Sequence, residues 1–99
     1  MLNIENEFNN KIIFKSGLAL LRAEDAIDFI NRCNQLKYKI LGIDSFKIID
    51  DKRIQPLIEF SIDYSSTTNM VLRENVWDDA CNFIYSVKDK GFLFEIIYE

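Results

Sequence analysis

The sequence predicts an α+β domain with elements in the order β-α-β-β-α-β, and three observations carry that prediction. Residues 23–36, AEDAIDFINRCNQL, place Ala23, Ala26, Ile27, Ile30 and Cys33 on one helical stripe. Residues 75–89 do the same with Val76, Ala80, Ile84 and Val87, and with Trp77 and Cys81 beside them. Between and around these helices lie stretches rich in β-branched and aromatic residues. One of them, QPLIEFSIDYSS (55–66), alternates: Ile58, Phe60, Ile62 and Tyr64 fall on one side of a strand, Glu59, Ser61 and Asp63 on the other.

Taken in order, residues 1–10 are polar and asparagine-rich and read as a loosely ordered N-terminus. KIIFKSGLALL, from Lys11, is apolar enough for the first strand, with Gly17 as a bulge or break. Glu24 and Asp25 then occupy the first helical turn, where the helix dipole favours negative charge. KYKILGIDSFKII (37–49) is the second strand, Asp50-Asp51-Lys52-Arg53 a turn, and Pro56 the start of the alternating third strand. SSTTNM (65–70) reads as a polar loop, Glu74 or Asn75 as the cap of the second helix, and Asp78 and Asp79 as its early turns. Gly91 fits the helix stop, and FLFEIIYE (92–99) the last strand.

The two helices share a pattern, Asp25-Ala26-x-x-Phe29-Ile30 and Asp79-Ala80-x-x-Phe83-Ile84, each followed by an apolar strand. Two matched βαβ-like halves suit a split-βαβ, ferredoxin-like two-layer sandwich: a mostly antiparallel sheet with two helices on one face. Phe29 and Phe83 sit at the edges of their stripes and read as rim packing.

With 99 residues, 48% of them hydrophobic, three glycines and one proline, residues 1–99 are expected to form a single globular domain. Sixteen acidic residues against twelve basic ones, a net charge of −4, argue against nucleic acid or an anionic membrane surface as partner and suit a basic protein. No stretch is long and apolar enough for a membrane span, and MLNIENEFNN has neither the basic nor the apolar region of a signal peptide. A cytoplasmic setting follows as the expectation, with Cys33 and Cys81 reduced and packed in the core.

Catalytic chemistry finds little to work with. The chain has no histidine, no CxxC and no glycine-rich phosphate loop. Carboxylates remain: Asp44, Glu59 and Asp63 on the predicted strands. A converging set would be needed for acid–base or hard-cation chemistry, and no calcium-loop spacing is present. We therefore expect neither an enzyme nor a resident cofactor or metal. In line on one strand face, Glu59, Ser61 and Asp63 read either as the solvated outer face of an open sheet or, with Phe46 and Tyr64 nearby, as a surface that binds a protein.

Leu41-Gly42-Ile43-Asp44-Ser45-Phe46, the acidic turn, Gln55-Pro56, Glu59, Ser61 and Asp63-Tyr64-Ser65, preceded by Asp25-Ala26-x-x-Phe29-Ile30, resemble small bacterial immunity proteins of polymorphic-toxin or contact-dependent inhibition systems. The resemblance covers residues 18–66. It implies a cytosolic acidic α+β domain that binds and neutralises one cognate toxin domain, often a basic nuclease. On that reading Asp44, Phe46, Glu59, Ser61, Asp63 and Tyr64 contact the toxin. Phe46 and Tyr64 would be the anchors, the Glu59/Asp63 face would set charge specificity, and Gly42 would allow a bulge that re-aims Asp44. The free protein is expected to be a monomer or weak homodimer. The alternative is a non-catalytic regulatory or small-ligand-binding module of the same fold, homodimeric through its open sheet.

Overall fold

A computed structural model of the chain describes residues 4–64 and 75–99. The loop expected at 65–70, Ser65 with it, and the Glu74 cap lie outside these described residues. The architecture is α+β, a two-layer sandwich of antiparallel sheet and helices, as the element pattern predicts.

The first strand is a hairpin. β1 (Ile13–Lys15) and β2 (Leu18–Leu20) are joined by Ser16-Gly17, both at positive φ (53° and 78°). Two such residues make the tight turn whose twist matches antiparallel strands, and Gly17 takes its half without steric cost. α2 (Ala23–Leu36) covers the residues that the apolar stripe marks. β3 (Ile40–Ile48) then runs up the middle of the sheet, with a register shift between Ile40 and Gly42 where a bulge is expected. β4 (Ile54–Pro56), a 3-10 turn (Ile58–Phe60) and β5 (Ile62–Asp63) return along one side of it. α3 (Val76–Ser86), a second 3-10 turn (Lys88–Lys90) and β6 (Leu93–Tyr98) complete the chain.

β6 pairs with the other side of β3, from Ile40↔Tyr98 to Phe46↔Leu93. The hairpin reaches the far side of β6 through Leu21 and Phe94, whose N–H and C=O groups exchange two bonds of 2.8 Å. Each helical connection therefore passes over one strand. The path from β2 through α2 to β3 spans β6, and the path from β5 through α3 to β6 spans β3.

The main core lies between sheet and helices. Ile43, Phe94 and Ile96 of the sheet meet Ala26, Ile30 and Cys33 of α2 and Ala80 and Ile84 of α3. The repeated Asp-Ala-x-x-Phe-Ile pattern thus supplies the small residues, Ala26 and Ala80, at the helix contacts. Its aromatic is not rim packing in α2: Phe29 is buried against the Phe8 and Tyr98 rings at 5.0 and 5.3 Å. That contact also corrects the expectation of a loose N-terminus. Ile4 of α1 (Ile4–Glu7) and Phe8 just after it are buried in the same cluster, so apolar side chains hold residues 4–8 despite their polar neighbours.

A second core occupies part of the opposite face. Leu20, Phe46 and Leu93 are buried there, with Ile13, Leu18 and Ile54 against them, and Lys15 Nζ donates to the Asp51 carbonyl at 3.0 Å. The hairpin thus covers one end of the face that an open sheet would leave polar. Both thiols are packing groups. Burial pushes the Cys33 thiol up to about 12, and burial with the charges of Asp78 and Asp28 raises that of Cys81. Among the described residues no helix is long and apolar enough to cross a membrane.

Candidate functional site

Residues 42, 44 and 46 of β3 and 93, 95 and 97 of β6 share the sheet face turned away from the helices, as the period of two and the pairing require. The hairpin covers Phe46 and Leu93. Beyond it no other described element covers the face, and there Gly42, Asp44, Glu95 and Ile97 stand in two adjacent rows. β5 adds Asp63 opposite Gly42. Leu41, Gly42, Asp44, Ile62, Asp63 and Ile97 line a shallow recess in this surface. Glycine is needed at position 42, because a Cβ there would stand 2.9 Å from the Ile62 carbonyl oxygen.

Asp44 and Glu95 are direct cross-strand partners. Like charges so placed destabilise a sheet. Partial burial, and then the charge of Asp44, push the Glu95 carboxyl above its ordinary value of 4.5. The ion pairs among the described residues lie elsewhere, Lys11 with Asp25, Arg32 with Glu7 and Arg53 with Asp50. Two facing carboxylates thus stand without a compensating cation among the described residues.

The residues expected to contact a partner are distributed differently from the sequence reading. Asp44 and Asp63 do share the uncovered face. Glu59 does not stand in line with Asp63, because Ile58–Phe60 is a 3-10 turn that interrupts the strand and its alternation. Glu59 is exposed on that turn. Ser61 is occupied structurally: its Oγ accepts from the Ser45 N–H at 3.2 Å and donates to the Leu57 carbonyl at 2.9 Å. Phe46, at 6% exposure, belongs to the second core. Tyr64, at 8%, faces α3, where its hydroxyl donates to Asp79 Oδ2 at 2.5 Å. Burial, followed by that carboxylate, raises the Tyr64 phenol. Neither ring reaches a partner without unfolding. Phe46 and Tyr64 are therefore packing residues rather than surface anchors.

Glu95 is the site residue that the sequence reading missed. Its signal is present in Phe94-Glu95-Ile96, where alternation turns it away from the core side, but only the β3–β6 register sets it opposite Asp44. Compared with known proteins, the chain matches no family model, no curated protein and no solved structure.

The uncompensated pair has a measurable consequence. A raised carboxyl means that folding disfavours the ionised form. The penalty is absent well below the ordinary 4.5, where the group is neutral folded or unfolded, and grows as pH rises through and above that value. Glu95→Gln is therefore expected to stabilise the protein at neutral pH. Solvent screens the partly exposed carboxylate, so the gain is about 0.5 kcal/mol, or roughly 2–4 °C in melting temperature. Melting curves of both proteins at pH 7 and pH 3 check this, with the difference expected to vanish at pH 3. A variant less stable than wild type at pH 7 would show that Glu95 is held by favourable contacts instead.

Proposed function

We propose that this protein is a non-catalytic, toxin-neutralising binding protein of the immunity type, which docks a basic toxin domain on the uncovered acidic face of its sheet. The single observation that carries the reading is the Asp44–Glu95 pair. A protein that keeps like charges face to face, partly desolvated, is less stable than it need be, and a cation from a partner relieves that cost when it binds. Asp63 and the exposed Ile97 extend the same surface in charge and in apolar area. The resemblance of residues 18–66 to immunity proteins supports the same reading. Stacking two copies through this face would instead set each carboxylate against another, which weighs against self-pairing there.

The test is capture with the tagged protein and with its Asp44→Lys/Glu95→Lys variant, at low salt and at about 0.5 M, where the Debye length falls to about 4–5 Å. One basic protein is expected with wild type and not with the variant. Expressed alone it should stop growth, and co-expression of this protein should restore it. Equal recovery by both proteins would remove the face as the docking surface. A captured partner without effect on growth would remove the toxin reading.

A further inference from the structure

A docking surface of charge alone supplies rate and specificity more than affinity, which needs apolar contact as well. Phe46 and Tyr64 are buried and give none, but the acidic face itself holds an apolar recess. We infer that the recess over Gly42 receives a lysine side chain of the basic partner, its aliphatic stem against Gly42, Leu41 and Ile97 and its ammonium among Asp44, Glu95 and Asp63. This inference deepens the reading proposed above and rests on it.

One irregularity of the sheet builds the recess. Ile40 pairs with Tyr98 and Gly42 with Ile97, so the register shift sets Leu41 and Gly42 together opposite Ile97. These two consecutive residues both line the recess, while Ile40 before them and Ile43 after them belong to the main core. Gly42 lies between Asp63 of β5 and Ile97 of β6 and is buried at the bottom, with no side chain to occupy the space. A Cβ there would stand 2.9 Å from the Ile62 carbonyl oxygen and 3.7 Å from Ile97 Cδ1, so even alanine would begin to fill the floor. Leu41 and Ile97 make aliphatic walls, and Ile97, 39% exposed, keeps apolar surface for an incoming group to cover. The walls stand on paired strands, so little order is lost when they are filled.

Charge at the rim selects the occupant. Asp44 of β3 and Asp63 of β5 border the recess, and Glu95 of β6 stands directly opposite Asp44. A purely apolar group would desolvate these carboxylates without pairing them, and a bare cation would leave Leu41 and Ile97 in water. A side chain that is apolar along its length and cationic at its tip meets both demands. Lysine suits the arrangement better than arginine. The carboxylates come from three strands, and an ammonium has three donors that can turn towards separate acceptors, whereas the planar guanidinium fork matches the two oxygens of a single carboxylate.

The probes are capped tripeptides of lysine, of arginine and of diaminobutyrate, which carry equal charge; diaminobutyrate lacks two of the lysine methylenes. Each is titrated against the whole chain with NMR detection of backbone amides and isoleucine methyls. Trilysine is expected to shift the Gly42 amide and the Ile97 methyls and to bind about fivefold more tightly than the other two, as a partly buried stem would give. Ile97→Ala should abolish that preference and leave the diaminobutyrate affinity unchanged. Equal affinity of the three peptides for wild type, or tighter binding of triarginine, with shifts still at Gly42, Asp44 and Glu95, overturns the lysine recess and leaves the acidic-face reading intact. Shifts confined to the helix carboxylates Asp28 and Asp78 overturn the acidic-face reading and the recess with it.

Discussion

Phe94→Ala is expected to cost about 3–5 kcal/mol, the largest stability loss of any substitution considered for this chain. Phe94 is 0% exposed and lies where three parts of the fold meet. Its backbone bonds to Leu21 of the hairpin, its strand position pairs with Ser45 of β3, and its ring lies in the core beneath α2 and α3. Truncation leaves the backbone bonds in place but opens a cavity that rigid neighbours on both sides cannot close. Small domains have about 5–15 kcal/mol to lose, so the midpoint of melting should fall by more than about 10 °C. Urea unfolding followed by circular dichroism measures it. A loss below about 1 kcal/mol would show that the hairpin and helices are held independently of this ring.

Asp44→Lys with Glu95→Lys is expected to slow association with the proposed basic partner by about 10- to 1,000-fold at low salt. The double variant reverses the field of the face while keeping a like-charged pair, so its melting temperature should stay close to that of wild type. This separates electrostatics from folding. Most of the effect should lie in the association rate and shrink as salt is raised, because exposed charges steer encounters over roughly a Debye length. Stopped-flow mixing with the captured partner reads both. A wild-type association rate in the variant would place docking elsewhere on the molecule. Loss of affinity through dissociation alone would assign the pair a contact role rather than a steering one.

The helices and the acidic turn were legible because their determinants are local. Apolar spacing near 3.6 marks α2 to the residue, and it predicts α3 over 75–89, where the structure gives Val76–Ser86 followed by a single 3-10 turn. Asp50 likewise folds its own turn: its carboxylate accepts the Lys52 and Arg53 N–H groups and pairs with Arg53, and these bonds hold its carboxyl below the usual range. Gly42 is legible as a break in an apolar strand, but what requires glycine there is long-range: a Cβ would stand 2.9 Å from the Ile62 carbonyl oxygen. Alternation misled at Glu59. A period of two describes a strand only while the backbone stays extended, and the Ser45 hydroxyl, distant in sequence, draws the Phe60 carbonyl out of the ladder.

By itself, then, the sequence determined the α+β class, the two long helices with their apolar stripes, and an acidic balance, while α1, the first hairpin and the break in the third strand escaped it. It also held Asp44 and Asp63 among the candidate contacts. Tertiary structure alone decided which faces are open. The hairpin folds over Phe46 and removes it from the surface, Asp79 of α3 takes the Tyr64 hydroxyl into the core, and the β3–β6 register places Glu95 against Asp44. Each of these depends on pairing between segments far apart in the chain. Local periodicity carries no information on register, and a shift of one residue would exchange the acidic face for the apolar one.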